Sequence, residues 1–113
     1  VDDCLFCSIV AGDVPAEVVH VTERTVAFRD INPQAPTHVL VVPREHHRDA
    51  AALAAADPQA SAELVSTAAA VAAAEGHGEA YRMVFNTGAG AGQTVFHAHL
   101  HVVAGRDLGW PPG

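Results

Sequence analysis

The chain has 113 residues, a length that supports one hydrophobic core, so residues 1–113 are read as a single domain. Half of it is hydrophobic, but Ala and Val dominate that half and only six residues are Phe, Trp or Tyr; the expected core is thin, and a second subunit would thicken it. Six Arg, no Lys and 13 acidic residues leave a net charge of −7, which argues against a nucleic-acid or membrane surface built as a basic patch. Any phosphate must then be held locally. No stretch approaches the roughly 18 apolar residues of a membrane span, and the acidic start Val1-Asp2-Asp3 is the opposite of a secretory leader. A cytoplasmic protein is expected. Its composition has one outlier, eight histidines, against roughly two or three at ordinary usage.

In chain order, 4–11 sets Leu5, Phe6, Ile9 and Val10 at helical spacing before Gly12, which predicts a short opening helix whose apolar face needs a sheet. Segments 18–21 and 25–29 are β-branched runs separated by Thr22-Glu23-Arg24, the pattern of a hairpin. Asn32-Pro33 and Ala35-Pro36 force a turn, and an Asp directly before it, Asp30, is a candidate Asx-turn former. The apolar run 38–43 then reads as a central strand covered on both faces. Residues 50–74 are Ala-rich with Leu and Val at intervals, a helix-forming composition. Within them, Asp57-Pro58 marks a helix start, and Leu64, Ala68, Val71 and Ala72 mark one face until Gly76. Segments 81–86 and 95–104 are the last two strands. Five strands joined by short loops, with one long helix between the third and fourth, predict an α+β fold on an antiparallel sheet.

His97-Ala98-His99-Leu100-His101 is the most informative segment, because strand geometry puts its imidazoles on one face at steps of about 6.5–7 Å. Alternation of this kind fits a solvent-facing edge on which His is tolerated. Ligation of one metal by all three fits less well, since a flat strand hardly converges the outer rings on bonds of about 2 Å. Nucleophilic catalysis is the third reading, in which one ring attacks and its neighbours set its tautomer. The adjoining Gly88, Gly90 and Gly92 favour that reading, because their unobstructed amides can cradle an anion without Lys or Arg. Cys4 and Cys7 form a C-x-x-C, which in a reducing compartment points to metal or redox work.

These residues resemble the signature of the histidine triad family, His-φ-His-φ-His-φ-φ, matched by His97 through Val103. Asp30 through His38, the segment Gly92-Gln93-Thr94-Val95-Phe96 and the tail Trp110-Pro111-Pro112-Gly113 are similar to its nucleotide-binding (Hint) branch. The resemblance implies a fold in which the five-stranded antiparallel sheet, with a short N-terminal helix and one long helix, continues across a homodimer. It also implies a hydrolase of purine nucleoside 5′-phosphoramidates. Carried over, His99 is the nucleophile that forms a nucleotidyl-histidine, with the His97 carbonyl or the His101 ring holding its far N–H. His101 and His38 contact phosphate or pass protons, while Asn86 and Thr94, the latter where the family usually has Ser, position the phosphate. Asp30 takes the ribose hydroxyls, with Phe6, Ile9, Phe28, Ile31 and Leu40 around the base. Gln93, Val95 and Trp110 complete the substrate set, Trp110 reaching the partner's site.

The same resemblance implies a structural zinc site made by Cys4, Cys7, His46 and His97, a closed two-thiolate, two-imidazole set. His97 would then orient the strand that carries His99. His47 is a possible substitute ligand, and His20 and His77 have no assigned role. Two other functions compete: hydrolysis or nucleotidyl transfer on dinucleoside polyphosphates, and a zinc-stabilised nucleotide-binding scaffold dimer whose catalysis is incidental.

Overall fold

The computed structural model describes residues 3–113. An opening helix α1 (Leu5–Val10) is followed by strands β1 (Val18–Val21), β2 (Thr25–Arg29) and β3 (Thr37–Pro43), helices α2 (Ala50–Ala56) and α3 (Pro58–Ala74), and strands β4 (Tyr81–Val84) and β5 (Leu100–Ala104). The strands form one antiparallel sheet in the order β1-β2-β3-β5-β4. Every residue of β3 is buried, as its unbroken apolar run requires of a strand with neighbours on both sides and layers on both faces. Among the described residues no helix is long and apolar enough to cross a membrane.

Side-chain parity divides the core in two. Ala27, Val39, Val41, Leu100 and Val102 face α2 and α3, where they meet Leu53, Leu64, Ala68 and Val71. Each of the buried leucines stabilises the fold by about 1.5–3 kcal/mol, and the alanines of α3 let that helix lie close to the sheet. Val26, Phe28, Leu40 and Val42 face the other way, toward Cys4 and Phe6 of the N-terminal segment. The site lies on this second, thinner face.

Three elements depart from the sequence reading by two residues or more. The Ala-rich stretch is two helices, because Asp57 both closes α2, its N–H reaching Leu53 O at 2.8 Å, and caps α3, its carboxylate accepting from Ala60 N at 3.1 Å. Asp49 caps α2 in the same way. Strand β4 ends at Val84, not at 86. The last strand begins only at Leu100, since the Ala98 amide bonds to His47 O at 2.7 Å instead of joining the ladder. Parity nonetheless runs through the irregular stretch, with Ala98 in the α3-side core and His99 beside Phe6.

Candidate functional site

The metal-like cluster is built by three separate segments: Cys4 and Cys7 around α1, His46 after β3, and His97 before β5. Their ligand atoms all lie within 4.8 Å of one another. His97 Nδ1 is 3.3 Å from Cys4 Sγ, 3.5 Å from Cys7 Sγ and 3.2 Å from His46 Nδ1, and Cys7 Sγ is 3.4 Å from His46 Nδ1. A tetrahedral zinc ion with bonds of about 2.1 Å to nitrogen and 2.3 Å to sulfur has ligand-to-ligand edges of about 3.4–3.8 Å, and the separations of 3.2–3.5 Å lie within a few tenths of an ångström of them, so the set fits such an ion. The tautomer fits too. His97 Nε2 lies 2.9 Å from Pro43 O and donates to it, which leaves Nδ1 with its lone pair directed at the cluster. Burial lowers the pKa of His46 and brings that of His97 down to about 4, keeping both rings neutral as ligation requires, whereas burial and the adjacent Cys4 raise the Cys7 thiol. His47 points elsewhere, toward Glu45 at 3.7 Å.

The second cluster is a line of imidazoles whose tautomers can be read from one end to the other. The Gln34 main-chain N–H donates to His38 Nδ1 at 3.0 Å, so the proton of the neutral His38 ring is on Nε2. That N–H donates to His101 Nδ1 at 2.9 Å. The His101 proton is therefore on its own Nε2, a buried atom with no partner among the described residues. Asp30, His38 and His101 also sit close enough to suggest a cation site. The Gln34 amide argues against one, because His38 would have to give up both ring protons to ligate through Nε2. His99 is set independently: Nδ1 donates to the His97 carbonyl at 2.7 Å, and Nε2 keeps the lone pair. The His99 and His101 rings lie 5.0 Å apart.

Both rings line a cleft of about 310 Å³ together with Phe6, Ile9, Phe28, Ile31, Leu40, Thr94, Val95 and Asp30. Asp30 divides its oxygens, Oδ1 accepting from Asn32 N at 2.9 Å in an Asx turn and Oδ2 lying 3.4 Å from His38 Nε2. The bidentate pair of Arg29 with Glu75, at 2.7 and 3.1 Å, ties the strand just before it to the end of α3. Burial lowers the pKa of His99 and takes that of His101 to about 4.

Four expected residues are not part of this cleft wall. His38 stands behind His101. Gln93 is buried, its amide N–H groups on Arg48 O and Val95 O at 2.7 and 3.1 Å and its Oε1 accepting from Gly88 N at 2.9 Å, so it braces the loop. Asn86 faces the same loop, its Nδ2 3.9 Å from where a Gly92 side chain would begin. Trp110 is 85% exposed at the tail. The glycine loop also differs from an open cradle. The amides of Gly88, Ala91, Gly92 and Gln93 all bond within the loop around a 3₁₀ turn, Ala89–Ala91. Sequence reasoning overlooked Gln34, whose useful group is a main-chain amide, and the Pro43 carbonyl. It also overlooked Val14, Pro15 and Ala16, which close the cleft from the segment after α1. The Gly12 stop and Pro15 were the available signals for such a turn.

Fold and site together define an α+β protein with an oriented histidine pair in a cleft and a two-Cys, two-His cluster beside it. The family model described as HIT domain matches residues 11–108, and the chain belongs to the histidine triad (HIT) family. It is 42% identical over 112 residues to an uncharacterized HIT-like protein of Synechococcus elongatus, covering 99% of this chain and 98% of that one. It is 40% identical over 112 residues to a 14 kDa zinc-binding protein of Zea mays, covering 96% and 87%. Among solved structures, a HIT family hydrolase from Legionella pneumophila superposes with a TM-score of 0.94 at 46% identity over 98% of this chain and 100% of that one. This chain has the fold of the HIT family hydrolases.

Nitrogen-15 NMR of histidine-labelled protein at pH 7 is expected to show His99 protonated on Nδ1, His38 and His101 on Nε2, and His101 neutral until the pH falls to about 4. A folded pKa below the usual 6.5 means the unfolded chain binds more protons between those values. The neutral ring's contribution to stability is thus complete above about pH 6.5 and is lost as the pH falls toward 4. An Nδ1-protonated His101 contradicts the hydrogen-bond chain.

Proposed function

We propose that the protein hydrolyses purine nucleoside 5′-phosphoramidates through a nucleotidyl-histidine on His99. The observation that carries this reading is the fixed tautomer of His99, whose Nδ1–H on the His97 carbonyl at 2.7 Å leaves a lone pair on Nε2 in a ring that lines the cleft. Burial lowers the pKa of that ring, so it is neutral and nucleophilic near pH 7. In the first step His99 Nε2 bonds to phosphorus, the P–N bond of the substrate breaks, and the leaving nitrogen takes a proton and departs as the amine. In the second, water attacks phosphorus, the bond to His99 breaks, and the water gives up a proton as the nucleotide leaves. His101, with an Nε2–H held in place through His38, is the donor to the phosphate oxygens; because that ring is neutral, the proton taken by the leaving nitrogen comes from solvent and is returned when the attacking water is deprotonated.

Asp30 Oδ2 takes the ribose hydroxyls, and Phe6, Ile9, Phe28, Ile31 and Leu40 flank the base. Thr94 and Val95 stand at the phosphate end, Gln93 and Asn86 acting through the loop they hold. With the Gly88, Ala91, Gly92 and Gln93 amides bonded within the loop and no Lys in the chain, the site relies on imidazole N–H and hydroxyl donors, a neutral environment in which charge on phosphorus is met by aligned dipoles. A homodimer is part of this reading. Strand β4 leaves one sheet edge open for a second copy, and the exposed Trp110 is free to reach that copy's cleft.

Cys4, Cys7, His46 and His97 would hold zinc, which would supply structural cross-linking; the ligand set would then tie α1, the end of β3 and the histidine segment together and keep the His97 carbonyl against His99. The edges of 3.2–3.5 Å and the His97 tautomer support it, as does likeness to a zinc-binding protein of maize.

Adenosine 5′-phosphoramidate is the direct test. His99→Ala is expected to lower turnover by at least about 10³-fold while AMP binding stays measurable by calorimetry; unchanged turnover contradicts the mechanism, and hydrolysis of a dinucleoside polyphosphate in its place would reassign the substrate. Elemental analysis is expected to find about one zinc per chain, absent from Cys4→Ser, whose thermal midpoint falls. Metal-free protein of undiminished stability contradicts the site.

A further inference from the structure

The imidazole chain that ends on His101 begins at the Gln34 amide, in the loop of residues 30–36 between β2 and β3. That loop has few main-chain bonds of its own, and Pro33 and Pro36 have no N–H to give. The Asn32 amide bonds to Asp30 Oδ1 at 2.9 Å, and the Gln34 side chain to Asn32 O at 3.0 Å. Neither contact involves the peptide groups of Gln34. The turn after β5 supplies one that does: Arg106 Nε donates to Gln34 O at 2.9 Å, and Nη1 of the same guanidinium to Asp107 O, also at 2.9 Å.

A second contact comes from the residue before it. Gly105 has a φ of 95°, and a Cβ there would lie 2.9 Å from Pro36 Cβ and 3.2 Å from Pro36 Cγ, so the turn and the close approach of Pro36 both require glycine. Thr37 pairs with Ala104 and His38 with Val103, which brings the two turns to one end of the sheet. Pro36 is seated on Gly105, and the Gln34 carbonyl is held by Arg106. The carbonyl and the N–H of Gln34 belong to successive peptide groups, so Arg106 acts on the N–H by fixing the course of the chain, not by polarising it. A planar guanidinium held by two hydrogen bonds fixes that course more narrowly than a single donor would.

We propose that Gly105 and Arg106 are positioning residues for the phosphate donor: by seating the Gln34 amide on His38 Nδ1, they keep the His101 proton on Nε2, the nitrogen left without a protein partner. For its effect on turnover, though not on tautomers, the inference rests on the phosphoramidase reading given above. Without that amide, His38 can carry its proton on Nδ1 and accept at Nε2. His101 Nδ1 must then donate, and its Nε2 becomes a lone pair turned against the phosphate oxygens. Asp30 Oδ2, 3.4 Å from His38 Nε2, favours the original arrangement, so loss of the clamp gives a mixture of tautomers, not a complete exchange.

Histidine-labelled protein observed by nitrogen-15 NMR tests this without substrate. In Arg106→Ala, His38 and His101 are expected to show Nδ1-protonated populations absent from wild type, while His99, held by the His97 carbonyl, is unchanged. Gly105→Ala, which displaces Pro36 with Arg106 intact, is expected to give the same mixture, and Arg106→Lys, which can still donate to Gln34 O, to give less of it. With adenosine 5′-phosphoramidate, Arg106→Ala is expected to lower kcat about ten-fold with KM changed less than about two-fold. In a His38→Ala background, where the chain is already cut, the same substitution is expected to cost less than about two-fold. Wild-type tautomers in folded Arg106→Ala, or an equal loss of kcat with and without His38, overturns the inference. Failure of the wild-type protein to hydrolyse the compound overturns the phosphoramidase reading instead, and the tautomers then decide the clamp alone.

Discussion

His97 makes the contacts on which the site depends, in three directions. Its Nε2–H is held by Pro43 O at 2.9 Å, its Nδ1 points into the cysteine cluster, and its carbonyl receives the Nδ1–H of His99 at 2.7 Å. The first contact fixes the ring and makes the second possible. The third sets which nitrogen of His99 has the lone pair. A ring buried this completely, with its polar atoms all matched, is costly to misplace. The cluster and the cleft are therefore one construction, joined through the main chain of a single residue.

The acidity of the protein acquires a physical meaning from this arrangement. A field of Lys and Arg would hold phosphate more tightly, but it would also favour the ground state as much as the transition state. The site has neutral imidazoles, kept neutral by burial, and a hydrogen-bond chain from the Gln34 amide through His38 to the unpartnered His101 Nε2–H. A buried donor without a partner is an interaction prepared for a ligand. Its desolvation is already complete when an anion arrives, and preorganised donors of that kind are worth most in a site that excludes water.

Much of this was legible in the sequence because it rests on periodicity and spacing. The unbroken run of β3, the Asp57-Pro58 helix start and the alternation from His97 to His101 all survive in the structure. Cys4, Cys7, His46 and His97 meet as their family pattern implies. What was not legible depends on main-chain groups. Nothing in the letters says that the Ala98 amide leaves the ladder for His47 O, that Gln34 contributes its N–H, or that Gln93 Oε1 takes the Gly88 N–H. The glycines suggested an open anion cradle, whereas Gly88 and Gly92, at φ 86° and 95°, serve a closed 3₁₀ turn. Asp30 fits both the turn-forming and the cleft-facing descriptions, one oxygen for each.

The central claim is that His99 forms a covalent bond to phosphorus. Rapid quenching of the enzyme with adenosine 5′-phosphoramidate, followed by peptide mass spectrometry under conditions that preserve phosphohistidine, tests it most directly. An adenylyl group on the peptide carrying His99, appearing before AMP and absent from the His99→Ala protein, is the expected result. Steady hydrolysis with no adenylylated peptide at any time, or the same adduct on another residue, would contradict the account.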